Sequence, residues 1–338
     1  MNERILIIQT AFLGDAVLTL PLIQASQKIF PSSEIDVVAI PSTQAIFKSS
    51  PHVKKVFSLD KKGKQKKLVS LIKFAFQIRK RKYSKIISPH RSFRTSLIIL
   101  VSGVTETYGF DISSMSFIYR HKIKYRKDWH EVRRNLSLLN NKEFEENWNI
   151  KPEVLIASEV KSKINNLLGD IGDTKIAAVA PGSVWKTKKY PFEYFEEIID
   201  FLISKSYKVV LIGGKEDAEE MNLLSAKFDN RVESFAGKLI IVESIELLKR
   251  CDFLICNDSA PTHLGMAADI PVLTLYCSTV ADFGFYPYNE KSSYLSYDDL
   301  DCKPCGIHGY EECPLGHFNC GKFLDPDFVI QKLKSFQN

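Results

Sequence analysis

The chain has 338 residues, enough for two domains of ordinary size, and 45% of its residues are hydrophobic and 25% charged, as in soluble globular proteins. No apolar run approaches the roughly 20 residues of a membrane-spanning helix. Residues 1–150 contain 26 Lys/Arg and 12 Asp/Glu, a charge of +14, whereas residues 151–338 contain 20 and 28, a charge of −8. The first apolar run, Ile5–Ile8, is too short for the core of a signal peptide. We therefore expect a cytoplasmic protein whose basic first domain meets anionic partners.

The first half of the chain alternates strand-like and helix-like segments. The predicted strands cover residues 5–8, 35–40, 52–59, 85–88 and 106–110, and the predicted helices cover 16–30, 61–85, 95–102 and a segment ending near 139. The helix predicted at 61–85 carries eleven Lys/Arg and no acid, beside an apolar stripe. This alternation is typical of a parallel α/β domain.

The first strand is followed by Leu13-Gly14-Asp15. Gly14 allows a tight turn, and Asp15 begins a helix at the carboxyl end of the strand, where ligands bind in open α/β sheets. An aspartate that only caps the helix is the alternative. The G-x-G-x-x-G fingerprint is absent, which disfavours an NAD enzyme.

A polar, acidic stretch at 140–170 is a predicted linker to a second α/β series. In this series the predicted strands cover residues 175–180, 208–212 and 232–235, and the predicted helices cover 192–204, a segment after Asp217, and 244–250. Pro181-Gly182-Ser183 and the lysines after it resemble a place for phosphates, although the Walker A pattern is not matched. A solvated loop is the alternative. Asp217, after Gly213-Gly214, could hold a ribose or simply cap a helix.

The segment Cys251–Leu275 reads as strand, polar turn, short helix and strand. Asn257-Asp258-Ser259 supplies helix-starting side chains, and Pro261 suits the first turn. Ser259, Thr262 and His263 add more polar groups to that turn than capping requires. A helix N-terminus at the carboxyl end of a strand suits an anionic ligand, while a structural histidine is the alternative for His263.

The seven cysteines fall into two groups. Cys251, Cys256 and Cys277 lie in or beside apolar strands and are predicted to be buried as small hydrophobic residues. Four more lie in a late loop, where they either close a zinc site or remain free thiols: Cys302, Cys305, Cys313 and Cys320. The second pair does not have the short spacing of a zinc knuckle.

Basic residues dominate 61–85 and 119–134. Most such runs are solvated helix faces, but four arginines are candidates for specific anion contacts, because the guanidinium fork matches carboxylates and phosphates: Arg91, Arg94, Arg120 and Arg133. Nucleic-acid binding is disfavoured, since basic motifs interleaved with aromatic residues are absent and the acidic second half would repel the backbone.

The order of these motifs resembles the ADP-heptose lipopolysaccharide heptosyltransferases, glycosyltransferase family 9. The resemblance runs from residue 4 to about 330 and includes the following motifs: Phe12-Leu13-Gly14-Asp15 with Pro21, Pro181-Gly182-Ser183 with Lys188-x-Tyr190-Pro191, Gly213-Gly214, Asn257-Asp258-Ser259-Ala260-Pro261-Thr262-His263-Leu264, and the cysteine loop. It implies an α/β fold of GT-B architecture, two Rossmann-like parallel-sheet domains facing a central cleft. The implied parts are an acceptor-binding domain (1–160), a nucleotide-sugar-binding domain (161–325) and a final helix (326–338) that can pack back on the first domain.

Residue by residue, the resemblance implies that Asp15 is the catalytic base and that Lys188 lies near the donor phosphates. Ser183 would contact a phosphate or sugar, and Asp217 would lie near the ribose. The remaining implied donor-binding positions are Gly14, Asp258, Ser259, Ala260, Thr262 and His263. The chain departs from the family at Ala11 and Phe12, where some members have hydroxyl residues, and at Tyr190, where tryptophan is usual.

The activity that the resemblance implies is an inverting transfer of heptose from ADP-L-glycero-D-manno-heptose to the inner core of lipopolysaccharide. The acceptor would be Kdo-lipid A or heptosyl-Kdo-lipid A, bound through the four arginines, with peripheral contact to the anionic inner membrane. Neither a cofactor nor a divalent metal is implied. The alternative is another GT-B enzyme with a different nucleotide sugar, either a transferase or a 2-epimerase.

Overall fold

The computed structural model describes residues 3–169 and 172–336, and the chain divides into two compact units between Leu155 and Ile156. This division falls shortly before the boundary predicted after residue 160. Each unit is built on one six-stranded sheet whose strands all run parallel. The predicted parallel α/β fold class is confirmed for both halves of the chain.

The first unit has the strand order β3-β2-β1-β4-β5-β6. Its strands are β1 (Arg4–Ile8), β2 (Glu34–Ala39), β3 (Val53–Ser58), β4 (Lys85–Ser88), β5 (Glu106–Phe110) and β6 (His121–Ile123). Its helices are α1 (Leu13–Val17), α2 (Leu20–Ile29), α3 (Gln44–Lys48), α4 (Leu68–Arg79), α5 (Phe93–Ser102), α6 (Glu131–Ser137) and α7 (Lys142–Glu146). The central strand β1 is apolar and buried because neighbours and helices cover it on all sides.

The chain reverses its direction of travel across this sheet between β1 and β4. It moves outward from β1 through β2 to β3, then crosses back to β4, so that Ile7 lies between Val37 and Ile87. Ligands of open α/β sheets bind outside the carboxyl ends of strands at such a switch point. We therefore expect a ligand-binding site at the loops after β1 and β4.

Two predicted helices of the first unit were wrong in extent. The helix expected at 61–85 covers only 68–79, because the Asp60 carboxylate accepts the backbone N–H groups of Gly63 and Lys64 and holds the preceding residues in turns. The helix expected at 16–30 is two helices, since Pro21 has no N–H for the carbonyl one turn earlier. The short strand β6 inside the second basic stretch was not predicted.

The second unit has the strand order β12-β11-β10-β7-β8-β9. Its strands are β7 (Ile176–Ala180), β8 (Lys208–Leu211), β9 (Val232–Ser234), β10 (Phe253–Asn257), β11 (Val272–Tyr276) and β12 (Ser293–Ser296). Its helices are α8 (Ser158–Leu168), α9 (Phe192–Ser204), α10 (Ala218–Ala226), α11 (Ile241–Leu248), α12 (Ala260–Ala268), α13 (Asn319–Lys322) and α14 (Pro326–Lys334). The edge strand β12 was not predicted.

The second sheet repeats the topology of the first. The switch point lies between β7 and β10, where Val179 pairs with Leu211 on one side and Ile255 on the other. The predicted strand–turn–helix–strand unit at 251–275 is confirmed as β10, α12 and β11.

The last helix, α14, packs on the second unit. Val329 and Leu333 are fully buried in that unit's core, and α14 contacts α9. The apolar stripe of α14 therefore has its partner within its own unit, and the packing of this helix on the first domain stays a prediction. Helices long and apolar enough to cross a membrane are absent from residues 3–169 and 172–336.

Candidate functional site

Asn257, the last residue of β10, ties together three loops at the carboxyl edge of the second sheet. Its side-chain amide donates to the carbonyl of Pro181 at 2.5 Å, and its side-chain oxygen accepts the N–H of Tyr190 at 3.0 Å. The hydroxyl of Ser259 donates to the carbonyl of Gly182 at 3.3 Å. The loop after β7, the lysine-rich segment and the start of α12 are therefore held at one place, the switch point.

Lys188 and Asp258 form an ion pair within this group of loops. The Lys188 Nζ lies 2.6 Å from the Asp258 Oδ2, and the Thr279 hydroxyl donates to the same oxygen at 2.7 Å. Both charged side chains are largely shielded from solvent. A buried ion pair beside the first turn of α12 places a fixed cation where the helix N-terminus already favours an anion.

His263 lies on α12 and completes this cluster. Its side chain is buried, and burial lowers its pKa to about 4, with Lys188 lowering it and Asp258 raising it. The ring is thus neutral near pH 7. Within the described part of the chain its Nδ1 has no hydrogen-bond partner, so a ligand is the natural partner for this buried atom.

Asp217 supports the loop after β7. It is buried, its carboxylate accepts the N–H of Gly214 at 2.9 Å, and a Cβ added to Gly182 would lie 2.5 Å from its carboxyl group. Burial raises the pKa of Asp217. These contacts match the capping alternative, while a contact with ribose stays a prediction.

The other predicted donor residues divide into two groups. Ser183 is half-buried in the loop after β7, and Ala260 begins α12. Thr262 is instead buried, with its hydroxyl 3.1 Å from that of Thr274 and 3.3 Å from the Cys256 sulfur. The Thr262 hydroxyl is thus used within the sheet, and a donor contact through the backbone from Ser259 to Thr262 stays a prediction.

A second polar cluster lies at the switch point of the first unit. The Nδ1 of His90, after β4, lies 3.1 Å from the hydroxyl of Thr10, after β1, and 2.7 Å from that of Thr95. Lys61 donates to the Thr10 carbonyl at 2.6 Å. Burial lowers the pKa of His90 to about 4 and also lowers that of Lys61. Neither His90 nor Lys61 was predicted, since each depends on contacts between distant parts of the chain.

Asp15 is half-buried in the first turn of α1, and Gly14 precedes it. The backbone carbonyl of Asp15 accepts a hydrogen bond from the Thr19 hydroxyl at 2.7 Å, which fixes the turn.

Glu131 lies close enough to Asp15 for the two carboxylates to interact electrostatically. Burial raises the pKa of Glu131 to about 7, and the negative charge of Asp15 contributes to that rise. Arg134, itself buried, lies 2.8 Å from Glu131 and donates to the Tyr125 hydroxyl at 2.6 Å. The sequence reasoning missed Glu131 and Arg134.

Two of the four arginines predicted to bind the acceptor lie in one basic and aromatic group. The guanidinium of Arg91 lies 4.4 Å from the centre of the Tyr125 ring, and that of Arg133 lies 4.1 Å from the centre of the Trp129 ring. Tyr125 also contacts Arg134, which lies beside Glu131. Arg91 and Arg133 therefore lie in one group with Tyr125, Trp129 and Arg134, and acceptor binding by these two arginines stays a prediction.

The other two arginines have structural contacts. Arg94 donates to the carbonyls of Gln65 and Lys66 at 2.8 and 2.7 Å, and so fastens the basic turn before α4. Arg120 pairs with Glu106 at 2.5 Å, at the amino end of β5 and thus at the opposite edge of the sheet. Arg120 therefore lies away from the switch point, whereas Arg94 lies near enough to Lys61 for its charge to lower the pKa of that lysine. Acceptor binding by Arg94 and Arg120 stays a prediction.

All seven cysteines are free thiols, and Cys251, Cys256 and Cys277 are buried as predicted. Burial raises the pKa of Cys256 to about 12. Although burial raises the pKa of Cys313, backbone N–H groups from Phe318 and its neighbours hold it below its usual value. Across residues 3–169 and 172–336, no three His, Cys, Asp or Glu side chains form a group that could hold a metal ion.

Two doubly wound sheets, each with a polar cluster at its switch point and one of them suited to an anion, are typical of enzymes that bind nucleotides. Residues 71–314 match the model of glycosyltransferase family 9 (heptosyltransferase). The chain belongs to this family and is a glycosyltransferase, as the motifs predicted.

The chain is similar to known relatives and to solved structures along nearly its whole length. The chain is 26% identical to lipooligosaccharide heptosyltransferase 2 of Campylobacter jejuni subsp. jejuni serotype O:6, over 98% of both chains. It is similar to the crystal structure of the family 9 glycosyltransferase of Veillonella parvula, with a TM-score of 0.85, 23% identity and coverage of 99% of this chain and 97% of the other. The E. coli ADP-heptose lps heptosyltransferase II structure gives a TM-score of 0.81 at 20% identity, over 98% of both chains. These similarities confirm the predicted GT-B fold.

Proposed function

We propose that the protein transfers a heptose from ADP-heptose to the inner core of lipopolysaccharide, onto Kdo-lipid A or heptosyl-Kdo-lipid A. The observation that carries this proposal is the Lys188–Asp258 pair beside the N-terminus of α12, at the switch point of the second sheet. The similar proteins named above are heptosyltransferases, which supports the choice of sugar.

The second unit would bind the donor through its diphosphate. Lys188 would supply a cation that Asp258 holds in place, and the first turn of α12 would supply backbone N–H groups. The leaving diphosphate gains negative charge as the glycosidic bond breaks, and preorganised positive groups stabilise that charge. Because Lys188 and the helix already provide them, the proposal requires no divalent metal.

The neutral ring of His263 would supply the remaining donor contact. Its buried Nδ1 would hydrogen-bond a sugar hydroxyl or phosphate oxygen, which would satisfy an atom that has no partner within the described chain. A neutral imidazole can donate or accept at this nitrogen, according to its tautomer.

The first unit would bind the acceptor and accept its proton. Asp15 would act as general base on the attacking hydroxyl, so that the anomeric centre is inverted in a single displacement. Arg91 and Arg133 would hold carboxylate or phosphate groups of the acceptor. Since this acceptor carries a lipid, we also propose loose peripheral contact of the basic first unit with an anionic membrane.

The nucleotide is tested by thermal shift and calorimetry with ADP, UDP and GDP. We expect ADP to stabilise the protein most, and Lys188→Ala to weaken ADP binding by about 10- to 100-fold, as expected for loss of a hydrogen bond to a charged group. Lys186→Ala is the matched control, because Lys186 lies in the same segment but is exposed.

Greater stabilisation by UDP or GDP would contradict the donor and favour a GT-B enzyme with another nucleotide sugar. Unchanged ADP affinity in Lys188→Ala would remove this lysine from the site.

A further inference from the structure

Helices α4 and α5 lie side by side on one face of the first sheet. Leu71, Phe74 and Ile78 of α4 and Ile98 and Ile99 of α5 are buried in one core, together with residues of β1 and β4. Because their inner stripes enter the same core, the outer stripes of the two helices face solvent on the same side of the unit.

The outer stripe of α4 alternates apolar and basic side chains. Val69, Lys73, Phe76 and Lys80 follow one another at spacings of four, three and four residues, which places them on one side of the helix. Val69 is 65% exposed and Phe76 is 50% exposed. Large apolar side chains so exposed on a helix with a well-packed inner face are not needed for the core.

The outer stripe of α5 continues this surface. Phe93, Leu97 and Leu100 share one side of the helix, with Phe93 55% and Leu100 52% exposed. We call the seven residues of the two stripes the α4–α5 face: Val69, Lys73, Phe76, Lys80, Phe93, Leu97 and Leu100. Leu97 is partly buried against the core, whereas Val69, Phe76, Phe93 and Leu100 are exposed. Exposed apolar side chains gathered on one surface mark interaction sites in soluble proteins.

The charge around the α4–α5 face has a single sign. Residues 61–105 contain thirteen Lys/Arg and no Asp or Glu. Among the residues that the structure describes, no carboxylate pairs with Lys66, Lys67, Lys73 or Lys80. The partner of this face must therefore accept apolar side chains and supply negative charge.

We propose that the α4–α5 face docks on the surface of an anionic lipid bilayer, with its apolar side chains inserted among the lipids and its lysines at the headgroups. A surface that is apolar along its axis and lysine-rich around it can insert its apolar side chains among lipids while its lysines contact anionic headgroups. The inference rests on the proposed function in that a lipid-borne acceptor gives the docking its purpose. Nucleic acid would match the charge but leave the apolar stripe exposed to water.

The test is flotation of the full chain with vesicles of phosphatidylcholine alone or of equal parts phosphatidylcholine and phosphatidylglycerol. We expect binding to the anionic vesicles only, reduced but not abolished by high salt. Val69→Ser with Phe76→Ser should weaken vesicle binding about tenfold through the loss of inserted apolar area. Lys73→Gln with Lys80→Gln should weaken it about fivefold for each lysine and flatten the salt dependence.

Two control variants test whether vesicle binding depends on the α4–α5 face in particular or on any exposed apolar or basic side chain. Leu223→Ser removes a 64% exposed apolar side chain from α10, and Lys122→Gln with Lys124→Gln removes exposed charges at β6. Both controls should bind vesicles as the wild type does. Equal losses in controls and face variants would overturn the proposal, as would absent binding to anionic vesicles, unchanged binding of the serine variant, or tighter binding to a DNA duplex at the same salt concentration.

Failure of the docking can be distinguished from failure of the proposed function. The face variants should retain wild-type heptose transfer to a deacylated, soluble acceptor, because none of them belongs to either polar cluster. Wild-type protein that floats with vesicles but transfers no heptose would leave the docking intact and remove the proposed function. Face variants that lose transfer to the soluble acceptor would instead show a role in the reaction and overturn the docking proposal.

Discussion

Burial shifts the charge of several single residues at the two switch points. His263 and His90 are held neutral near pH 7, and Lys61 loses protons more readily than an exposed lysine. At Glu131 burial raises the pKa to about 7, although Arg134 opposes that rise. Strongly shifted groups are common at functional sites, and the four named here belong to or adjoin the polar groups around the two switch points.

His263 makes the stability of the protein depend on pH. Its pKa of about 4 in the folded protein lies below the ordinary histidine value of 6.5, so the unfolded chain binds a proton first as the pH falls. The stability from the neutral ring is therefore lost between about pH 6.5 and 4, at a cost of about 2 kcal/mol between pH 7 and 5. Urea unfolding at these two pH values should show the wild type losing that much more than His263→Gln. His308→Gln, at an exposed ring, should behave as the wild type.

Equal losses in the wild type and His263→Gln would contradict a buried neutral ring. The comparison isolates this histidine, because Glu131 and His90 titrate in both proteins and cancel in the difference.

The sequence alone located much of the polar cluster at the start of α12. Lys188, Asp258 and His263 were predicted, and the structure brings them together because two strands of a parallel sheet end side by side there. Asn257 and Thr279 were missed, although Asn257 was quoted as a helix-starting residue. Their roles depend on contacts with Pro181, Tyr190 and Asp258 that no local pattern reveals.

For the helices and strands, apolar periodicity predicted the type of each element better than its first and last residues. The helix α4 was predicted from its stripe, but its start was set by Asp60, whose carboxylate captures two backbone N–H groups of the next turn. The edge strands β6 and β12 are short and partly exposed, so they lack a continuous apolar run. Edge strands of this kind leave a weak signal in a sequence.

Because α14 packs in the core of the second unit, truncation of one of its buried side chains should destabilise that unit. Leu333 is fully buried in the second unit, so Leu333→Ala should destabilise that unit by about 2–5 kcal/mol. Hydrogen exchange should then speed up at β7, β8 and α9 but stay unchanged at β1 and β4. Phe328→Ala, at a residue that is 58% exposed, should change stability by less than about 0.5 kcal/mol. Faster exchange in the first unit instead would place α14 there.

At the scale of the whole molecule, the two units repeat one plan with different charge. Each has six parallel strands, a switch point beside its first strand and a polar cluster there. The first half is basic, which suits the proposed anionic acceptor. The second half is acidic, so binding of the proposed donor diphosphate there depends on a local cation, Lys188. Alternating strands and helices predicted this plan, because parallel sheets require a crossover between successive strands.

Heptose transfer itself tests the central claim most directly. Purified protein would be incubated with ADP-heptose and either Kdo-lipid A or heptosyl-Kdo-lipid A, and the products measured by mass spectrometry. We predict that one acceptor gains a single heptose with release of ADP. Asp15→Ala should slow the reaction about 10²- to 10⁴-fold, as expected for loss of a general base, while ADP binding remains. Neither acceptor gaining a heptose, or Asp15→Ala retaining more than about a tenth of the wild-type rate, would contradict the account.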